Sequence, residues 1–368
     1  MSESSSPTKY RHVFDELRKE ILSGRYQPGH KLPSEAELVK LFGTSRITVG
    51  RAVRDLQDQG LVERRAGSGT YVRGTAGSGM TFGLLIPALG QTEIFEPICQ
   101  GMADSVEGGE HALLWCNVNP VDESKTRQEY ALQLCEQYIK RKISGVFFAP
   151  FESLGPDDST NERIVEALDK ARIPVVLLDR DFTPYPKRST HDLVGIDNRR
   201  TGFLATEHLF QLGHRRVAFV SYPRTAATVH ERIAGYREAH FVHKLPLDPA
   251  LVQRLEAEDA ESVRRFVEEQ KPQGVVCAND RTAGQLMHSL IALGVNIPTD
   301  VSIVGIDDIH YASLLPVPLT TIRQPCREIG MAAMSAMLER VRRPSMPTRD
   351  ILLECTLVER QSCAVREK

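Results

Sequence analysis

No CxxC or CxxH pair occurs among the seven cysteines, Cys99, Cys116, Cys135, Cys277, Cys326, Cys355 and Cys363. An odd set without ligand spacing, lying mostly in apolar segments, argues against a zinc framework or a disulfide scaffold and for reduced packing thiols. The opening residues MSESSSPTKYRH lack the apolar core of a signal peptide, and no apolar run approaches bilayer length. A cytoplasmic protein without membrane contact is therefore expected. GxGxxG, GxxxxGKS/T, GxSxG and HExxH are absent, as is a recognisable Schiff-base lysine context, so neither an enzyme nor a bound cofactor or metal is expected.

Strong charge of either sign is lacking too, with a net of −2 over 368 residues. Divided, the charge is informative. Residues 1–80 hold 13 Lys and Arg against 9 Asp and Glu, a net of +4, and the remainder holds 33 against 39, a net of −6. The positive end is the one suited to phosphates. The length allows two or three domains with full cores.

What is present begins at 31–73, KLPSEAELVKLFGTSRITVGRAVRDLQDQGLVERRAGSGTYVR. Leu32, Leu38, Leu41 and Phe42 give one apolar helical stripe; Val49, Ala52, Val53 and Leu56 give a second. Ser34 with Glu37 forms a capping box, Gly43 allows a sharp turn, Thr44 or Ser45 caps the second helix and Gly60 ends it. A basic hairpin follows. Two short helices whose second carries Ser45, Arg46, Thr48, Arg51 and Arg54 off its apolar face describe a helix-turn-helix that enters a major groove N-terminus first.

Residues 9–73, about a sixth of the chain, resemble the winged-helix domain of the GntR family of bacterial transcription regulators. YRHVFDELRKEILSGRYQPGHKLPSEAEL, the SR-x-TV-xx-A run at 45–52 and GLV-x-R-x-x-G-x-GT-x-V at 60–72 carry the resemblance. It implies operator contacts from Ser34, Glu35, Ser45, Arg46, Thr48, Arg51, Arg54 and the wing tip at Gly67 and Gly69. Ala36 and Gly50 stand where the family often has base-contacting arginines, and Arg51 lies one residue along from the second.

Residues 74–80, GTAGSGM, read as a Gly/Ser linker reaching on the order of 15 Å. Apolar runs then alternate with amphipathic helices: FGLLI at 82–86, ALLWC at 112–116, GVFFA at 145–149, PVVLL at 174–178, RVAFVS at 216–221, GVVCA at 274–278 and VSIVGI at 301–306. Such runs predict parallel strands covered on both faces, divided between two lobes with a cleft at the strands' C-terminal ends. The expected fold is thus α/β, an N-terminal winged helix-turn-helix (1–73), the linker (74–80) and a two-lobed periplasmic-binding-protein-like domain with parallel sheets (81–368).

Residues 82–362 resemble the effector domain of the LacI/GalR family, itself similar to periplasmic sugar-binding proteins. VGIDNRRTGFLATEHLFQLGHRRVAFVS at 194–221, ERIAGYREA at 231–239, VVCANDRTAGQLMHSLIALGVNIPTDVSIVGIDD at 275–308 and PLTTIRQP at 318–325 carry it. With a GntR-type head in place of the LacI head and hinge helix, the layout resembles that of the arabinose repressors.

The second resemblance implies an effector site, and each residue also has a plain structural role. Asn279 and Asp280 open a helix, where N-capping, expected of Asp280, competes with ligand contact. Asp307 has the same strand-end placement. Arg232 matches an effector-binding arginine or forms a surface ion pair, and Phe95 lines the cleft or merely packs. Asp179 and Arg180 end PVVLLDR and are weaker candidates of the same kind. Residues 247–259 supply no aromatic for stacking. Asp197 reads as structural at the lobe crossover, and His208 and His214 as packing or surface residues.

The reading is a ligand-responsive repressor, a homodimer on double-stranded operator DNA, whose effector is a mono- or disaccharide. An enzyme, or a transport-type binding protein, with a fused regulator head is the alternative.

Overall fold

The computed structural model describes residues 9–22, 25–26, 29–58, 61–65, 67–72, 79–86, 93–105, 111–115, 126–152 and 158–366. Two compact units result, one ending at Met80 and the other starting at Thr81. Gly60, Cys116 and residues 74–78 of the expected linker lie outside the described residues.

The first unit holds α1 (Lys9–Leu22), α2 (Glu35–Phe42), α3 (Arg46–Asp58) and an antiparallel hairpin of β1 (Val62–Arg65) and β2 (Gly69–Val72). Its core gathers Val13, Leu17, Leu32, Leu38, Val49, Ala52, Val53, Leu56, Val62 and Val72. The stripe of α3 is buried as expected. Leu41 is a correction: it is 64% exposed and lies off the α2 stripe. The capping box forms, with Ser34 N donating to Glu37 Oε2 at 2.7 Å and Glu37 N to Ser34 Oγ at 3.3 Å. Gly43 closes α2 in the left-handed conformation, and Ser45 Oγ accepts from Thr48 N at 3.2 Å, so Ser45 caps α3. Residues 29–32 run beside β2, with Leu32 N donating to Thr70 O and Val72 N to His30 O, both at 2.8 Å. The wing sheet thereby gains a third strand-like edge.

The second unit has two six-stranded sheets. The first lobe contains β3 (Thr81–Leu85), β4 (Ala112–Trp115), β5 (Gly145–Phe148), β6 (Val175–Leu178), β7 (Asp192–Ile196) and β13 (Asp350–Leu353), in the order β13-β7-β6-β5-β3-β4. All its pairings are parallel. The second lobe contains β8 (Val217–Ser221), β9 (Val252–Arg254), β10 (Gly274–Cys277), β11 (Ser302–Asp307), β12 (Thr320–Arg323) and β14 (Thr356–Val358), ordered β14-β12-β11-β10-β8-β9. Only β14 runs antiparallel there.

The helices are α4 (Phe95–Asp104), α5 (Arg127–Lys140), α6 (Thr160–Lys170), α7 (Asn198–Gln211), α8 (Ala227–Val242), α9 (Ala260–Gln270), α10 (Asp280–Ala292) and α11 (Cys326–Arg342). The chain crosses between lobes three times, from β7 into α7, from β12 into α11 and from β13 into β14. In keeping with this, α7 packs on β10, β11 and β12, whereas α11 packs on α4, β6 and β7. Central strands β5, β6, β8 and β10 are wholly buried, as their continuous apolar runs required. The ALLWC run is instead an edge strand, and Trp115 is exposed. Among the described residues no helix is long and apolar enough to cross a membrane.

Candidate functional site

In the first unit, a groove of about 500 Å3 runs between the wing and the start of α2 and α3, lined among others by Lys31, Glu35, Arg46, Arg64, Arg65 and Gly67. Glu35 joins its two walls. Arg64 Nη2 donates to Glu35 Oε1 at 2.5 Å, and Arg46 Nε lies 3.6 Å from Glu35 Oε2. One carboxylate thus frames two exposed guanidinium groups, one on α3 and one on the wing. Exposed pairs of this kind add little stability, so their effect is on direction. Ser34, Ser45 and Thr48 are occupied in capping, the last two sharing a hydroxyl–hydroxyl bond of 2.8 Å. At the wing tip Gly67 and Gly69 take φ of +72° and +122°, conformations that side chains resist. Arg65 lies over the Tyr71 ring at 4.5 Å.

Arg51 is exposed on α3, beside α1. Its guanidinium lies 4.7 Å from the centroid of the Tyr10 ring on α1. One residue along a helix is a rotation of about 100°, so Arg51 does not replace a side chain at Gly50. Arg54 stays exposed. Lys31 was not singled out from the sequence, because its approach to the wing depends on the strand-like pairing of 29–32.

In the second unit, the ends of β6 and β11 and the first turns of α8 bring Asp179, Arg180, Asp307 and Arg232 together. Asp179 and Arg180 follow β6 in the first lobe; Asp307 ends β11 in the second. Arg180 Nη2 lies 3.1 Å from Asp179 Oδ2, Arg180 also pairs with Glu152, and its guanidinium carbon stands 6.0 Å from the Phe95 ring centroid. Arg232, only 4% exposed, donates to Asn198 Oδ1 at 2.8 Å and Ala278 O at 2.6 Å, with Asp307 Oδ1 3.6 Å from its Nη2. Gln324 Nε2 donates to the same Asp307 oxygen at 2.7 Å.

The backbone at these acids is unusual. Asp179, Asp307 and Asp308 have φ of +67°, +125° and +54°. Left-handed non-glycine residues collect at ligand sites, where the surroundings hold them. Burial pushes Asp179 up to about 6, partly offset by the Arg232 charge. Burial also raises Asp307, against the opposing effects of Arg232 and the Gln324 hydrogen bond. Arg180 is pulled below its usual value by burial and then by Arg232. Buried donors and acceptors converging from two lobes suit bidentate bonds to a polyhydroxy ligand. Among the described residues, no cluster of three His, Cys, Asp or Glu could hold a metal ion.

The capping expected of Asp280 falls to Asn279. Asn279 is the cap of α10, its Oδ1 accepting from Thr282 N at 2.9 Å and from Thr282 Oγ1 at 2.8 Å. Asp280 is 0% exposed and spends both oxygens inside the lobe, on Thr321 Oγ1 at 2.5 Å and Ile309 N at 3.0 Å. A side chain at Gly305 would place Cβ 2.1 Å from Asp280 Oδ1, so that strand approaches the carboxylate too closely for anything larger. Asp197 caps α7, accepting from Arg200 N at 2.9 Å, at the first crossover.

Four residues that the sequence did not mark stand at strand ends or crossovers of these lobes. Asn198 and Gln324 hold Arg232 and Asp307 at two crossovers. Ser221, at the end of β8, keeps a buried hydroxyl without a partner among the described residues. Tyr222, next along, supplies a half-buried ring whose hydroxyl bonds Glu258 and Gln285. The usable signal was position, since each stands at a strand end or crossover. Between lobes, His310 N donates to Glu93 Oε2 at 3.2 Å.

Residues 9–72 match the bacterial regulatory proteins of the gntR family, and residues 206–363 match the periplasmic binding protein-like domain. The arabinose metabolism transcriptional repressor of Geobacillus stearothermophilus is 29% identical over 375 residues, covering 98% of this chain and 99% of that repressor. The HTH-type transcriptional repressor PurR of Vibrio parahaemolyticus is 31% identical over 253 residues, 67% of this chain and 71% of PurR. Among solved structures, a LacI family transcriptional regulator from Enterococcus faecium with bound ribose gives a TM-score of 0.62 at 26% identity, covering 78% of this chain and 100% of that one.

Proposed function

Because the chain belongs to the bacterial transcriptional repressors in which a GntR-type winged helix is joined to a LacI/GalR-type effector domain, we propose that it represses its target genes from a near-palindromic operator and releases it on binding a sugar. The observation that carries the reading is the convergence of Asp179 and Arg180 from one lobe with Arg232 and Asp307 from the other, each pair within electrostatic reach of its counterpart. A mono- or disaccharide bridging these groups favours the closed lobes. Closure alters the spacing of two heads in a homodimer, and ligand and operator then compete through their preference for different lobe geometries. Ribose in the Enterococcus faecium regulator and arabinose in the name of the Geobacillus repressor support a pentose as the first choice.

On this reading residues 1–73 bind DNA, 74–80 link, and 81–368 bind effector and dimerise, all in the cytoplasm. Arg46 reads bases; Arg54, Arg64, Arg65 and the wing tip at Gly67 and Gly69 hold phosphates, with Glu35 aiming Arg46 and Arg64. Ser34, Ser45 and Thr48 present the helix ends to the backbone. Phe95, Asn279 and Tyr222 complete the effector pocket, and Asp280 supports it from within.

The test is a thermal-shift screen of pentoses, hexoses and disaccharides on the full chain, followed by gel-shift titration on the upstream region of its own gene. A stabilising sugar should raise the melting temperature as RT ln(1 + [L]/Kd) and weaken operator binding. A sugar that tightens DNA binding instead would make it a corepressor, and a screen without any stabilising sugar would sink the effector class.

A further inference from the structure

We infer that Ile47 reads the C5-methyl group of a thymine, from a bare patch on α3 that Gly50 leaves beside Arg46. This rests on the reading of α3 as the groove helix. Ile47 is 85% exposed, the most exposed large apolar side chain among the described residues. A β-branched residue is a poor choice for a surface helix on propensity, so its place there asks for a contact.

Its surroundings narrow that contact to DNA. At about 100° per residue, Gly50 lies about 40° round the helix from Arg46, Arg54 about 80° and Ile47 about 100°. Gly50 is therefore flanked by two arginines and the isoleucine. A Cβ at Gly50 would meet only Glu35 Oε1, at 3.9 Å, so packing within the head does not require glycine. A mid-helix glycine weakens the helix relative to alanine, and close approach to another surface is a reason to keep one. A second head docked on this patch by two-fold symmetry would bring Arg46 and Arg54 against their own copies. A major groove offers the opposite arrangement, with guanine acceptors for an arginine and a thymine methyl for an apolar side chain one step away.

The probe is a duplex recovered by the full-length chain from a random-sequence library, with each thymine then replaced by deoxyuridine to delete only its methyl. One thymine per half-site, adjacent to the base pair whose preference Arg46→Ala relaxes, should lose about fourfold in affinity, the factor expected for one buried methyl. Ile47→Ala should bind the unaltered duplex more weakly by a similar factor and show no further loss with uracil there. Leu41→Ala removes the other exposed large apolar side chain among the head's described residues and should keep the parent's uracil response; circular dichroism checks that all are folded. Indifference of the parent to uracil at every thymine, or an undiminished uracil effect in Ile47→Ala, overturns the inference while leaving the regulator reading intact. Recovery of no duplex at all overturns both.

Discussion

Gln324 Nε2 donates to Asp307 Oδ1 at 2.7 Å, and Gln324 is the last residue but one before α11 begins in the other lobe. A ligand that takes hold of Asp307 therefore acts one hydrogen bond away from an interlobe crossing. Arg232 completes the connection, tying Asp307 to Asn198 at the first crossing. On the proposed reading, effector occupancy and the angle between lobes would be linked through these four side chains.

Asp307→Asn or Arg232→Ala should accordingly keep operator affinity within about twofold and lose the sugar's effect on it. Gln324→Ala should retain sugar binding, lower stability by about 1.5–3 kcal/mol through its lost bond to Asp307, and transmit less of the sugar's effect to the operator. Calorimetry for sugar and gel shift for DNA measure both halves. By linkage, operator must weaken sugar affinity in the parent by the factor that sugar weakens operator affinity. Equal response of parent and all three variants would remove the crossings from the coupling.

Arg46→Ala should cost about 1–3 kcal/mol on the preferred operator and relax the sequence preference at one base pair. Arg64→Ala and Arg65→Ala should weaken all duplexes alike and lower the salt slope by about one each. Arg51→Ala should leave operator discrimination unchanged, because its guanidinium rests on Tyr10, and instead lower stability by about 0.5–1 kcal/mol. A loss of specificity in Arg51→Ala, measured against a mismatched duplex, would return that arginine to the reading face.

The two residues that open α10 should separate cleanly under mutation. Asn279→Ala removes a helix cap, worth about 1 kcal/mol. Asp280→Ala leaves the Ile309 N–H and Thr321 hydroxyl without partners in a dry interior and should cost about 2–4 kcal/mol. Denaturant midpoints test the order. A smaller cost for Asp280→Ala than for Asn279→Ala would place the cap on the wrong residue.

Burial sets opposing pH dependences. Asp179 is pushed up to about 6, so between roughly pH 4 and 6 the folded protein holds a proton that the unfolded chain has released. Its contribution is present at the acid end and is lost as the pH rises through about 6. Asp179→Asn escapes that loss, and its stability relative to the parent should improve by on the order of 1–3 kcal/mol from pH 4.5 to 7.5. Burial lowers His208, His214 and His240, whose contribution is full above about pH 6.5 and lost on acidification. Melting temperatures of parent and variant across this range separate the two; a constant difference would remove Asp179 from the account.

Legibility in the sequence followed burial. Continuous runs such as GVFFA and GVVCA became central strands because parallel strands covered on both faces must be apolar throughout. TTIR at β12 is absent from the apolar runs, although PLTTIRQP carries the family resemblance, because Thr320 and Thr321 are buried with their hydroxyls bonded, to Arg360 N and Asp280, which hides a core strand behind polar letters. The short β13 and β14 have no run long enough to mark them. At the site, strand ends pointed to Asp179 and Asp307, but the sequence could not apportion work between Asn279 and Asp280. That division depends on Thr321 and Ile309, which approach only in the folded sheet.

The three crossings also order the protein's synthesis. The first lobe begins at β3, yet its edge strand β13 and its packing helix α11 come from beyond residue 325, after most of the second lobe has been made. On the ribosome the first lobe must wait with one flank of β7 unpaired and α4 uncovered, while the second lobe's β8, β9, β10, β11 and β12 have already emerged. Its first-made half is thus exposed longest, as a strand edge and an apolar helix face of the kind that chaperones hold. A stop codon anywhere before β13 leaves both lobes incomplete, since the second still lacks β14. Truncation from the C-terminus therefore removes the two lobes together and does not release either as a smaller working domain.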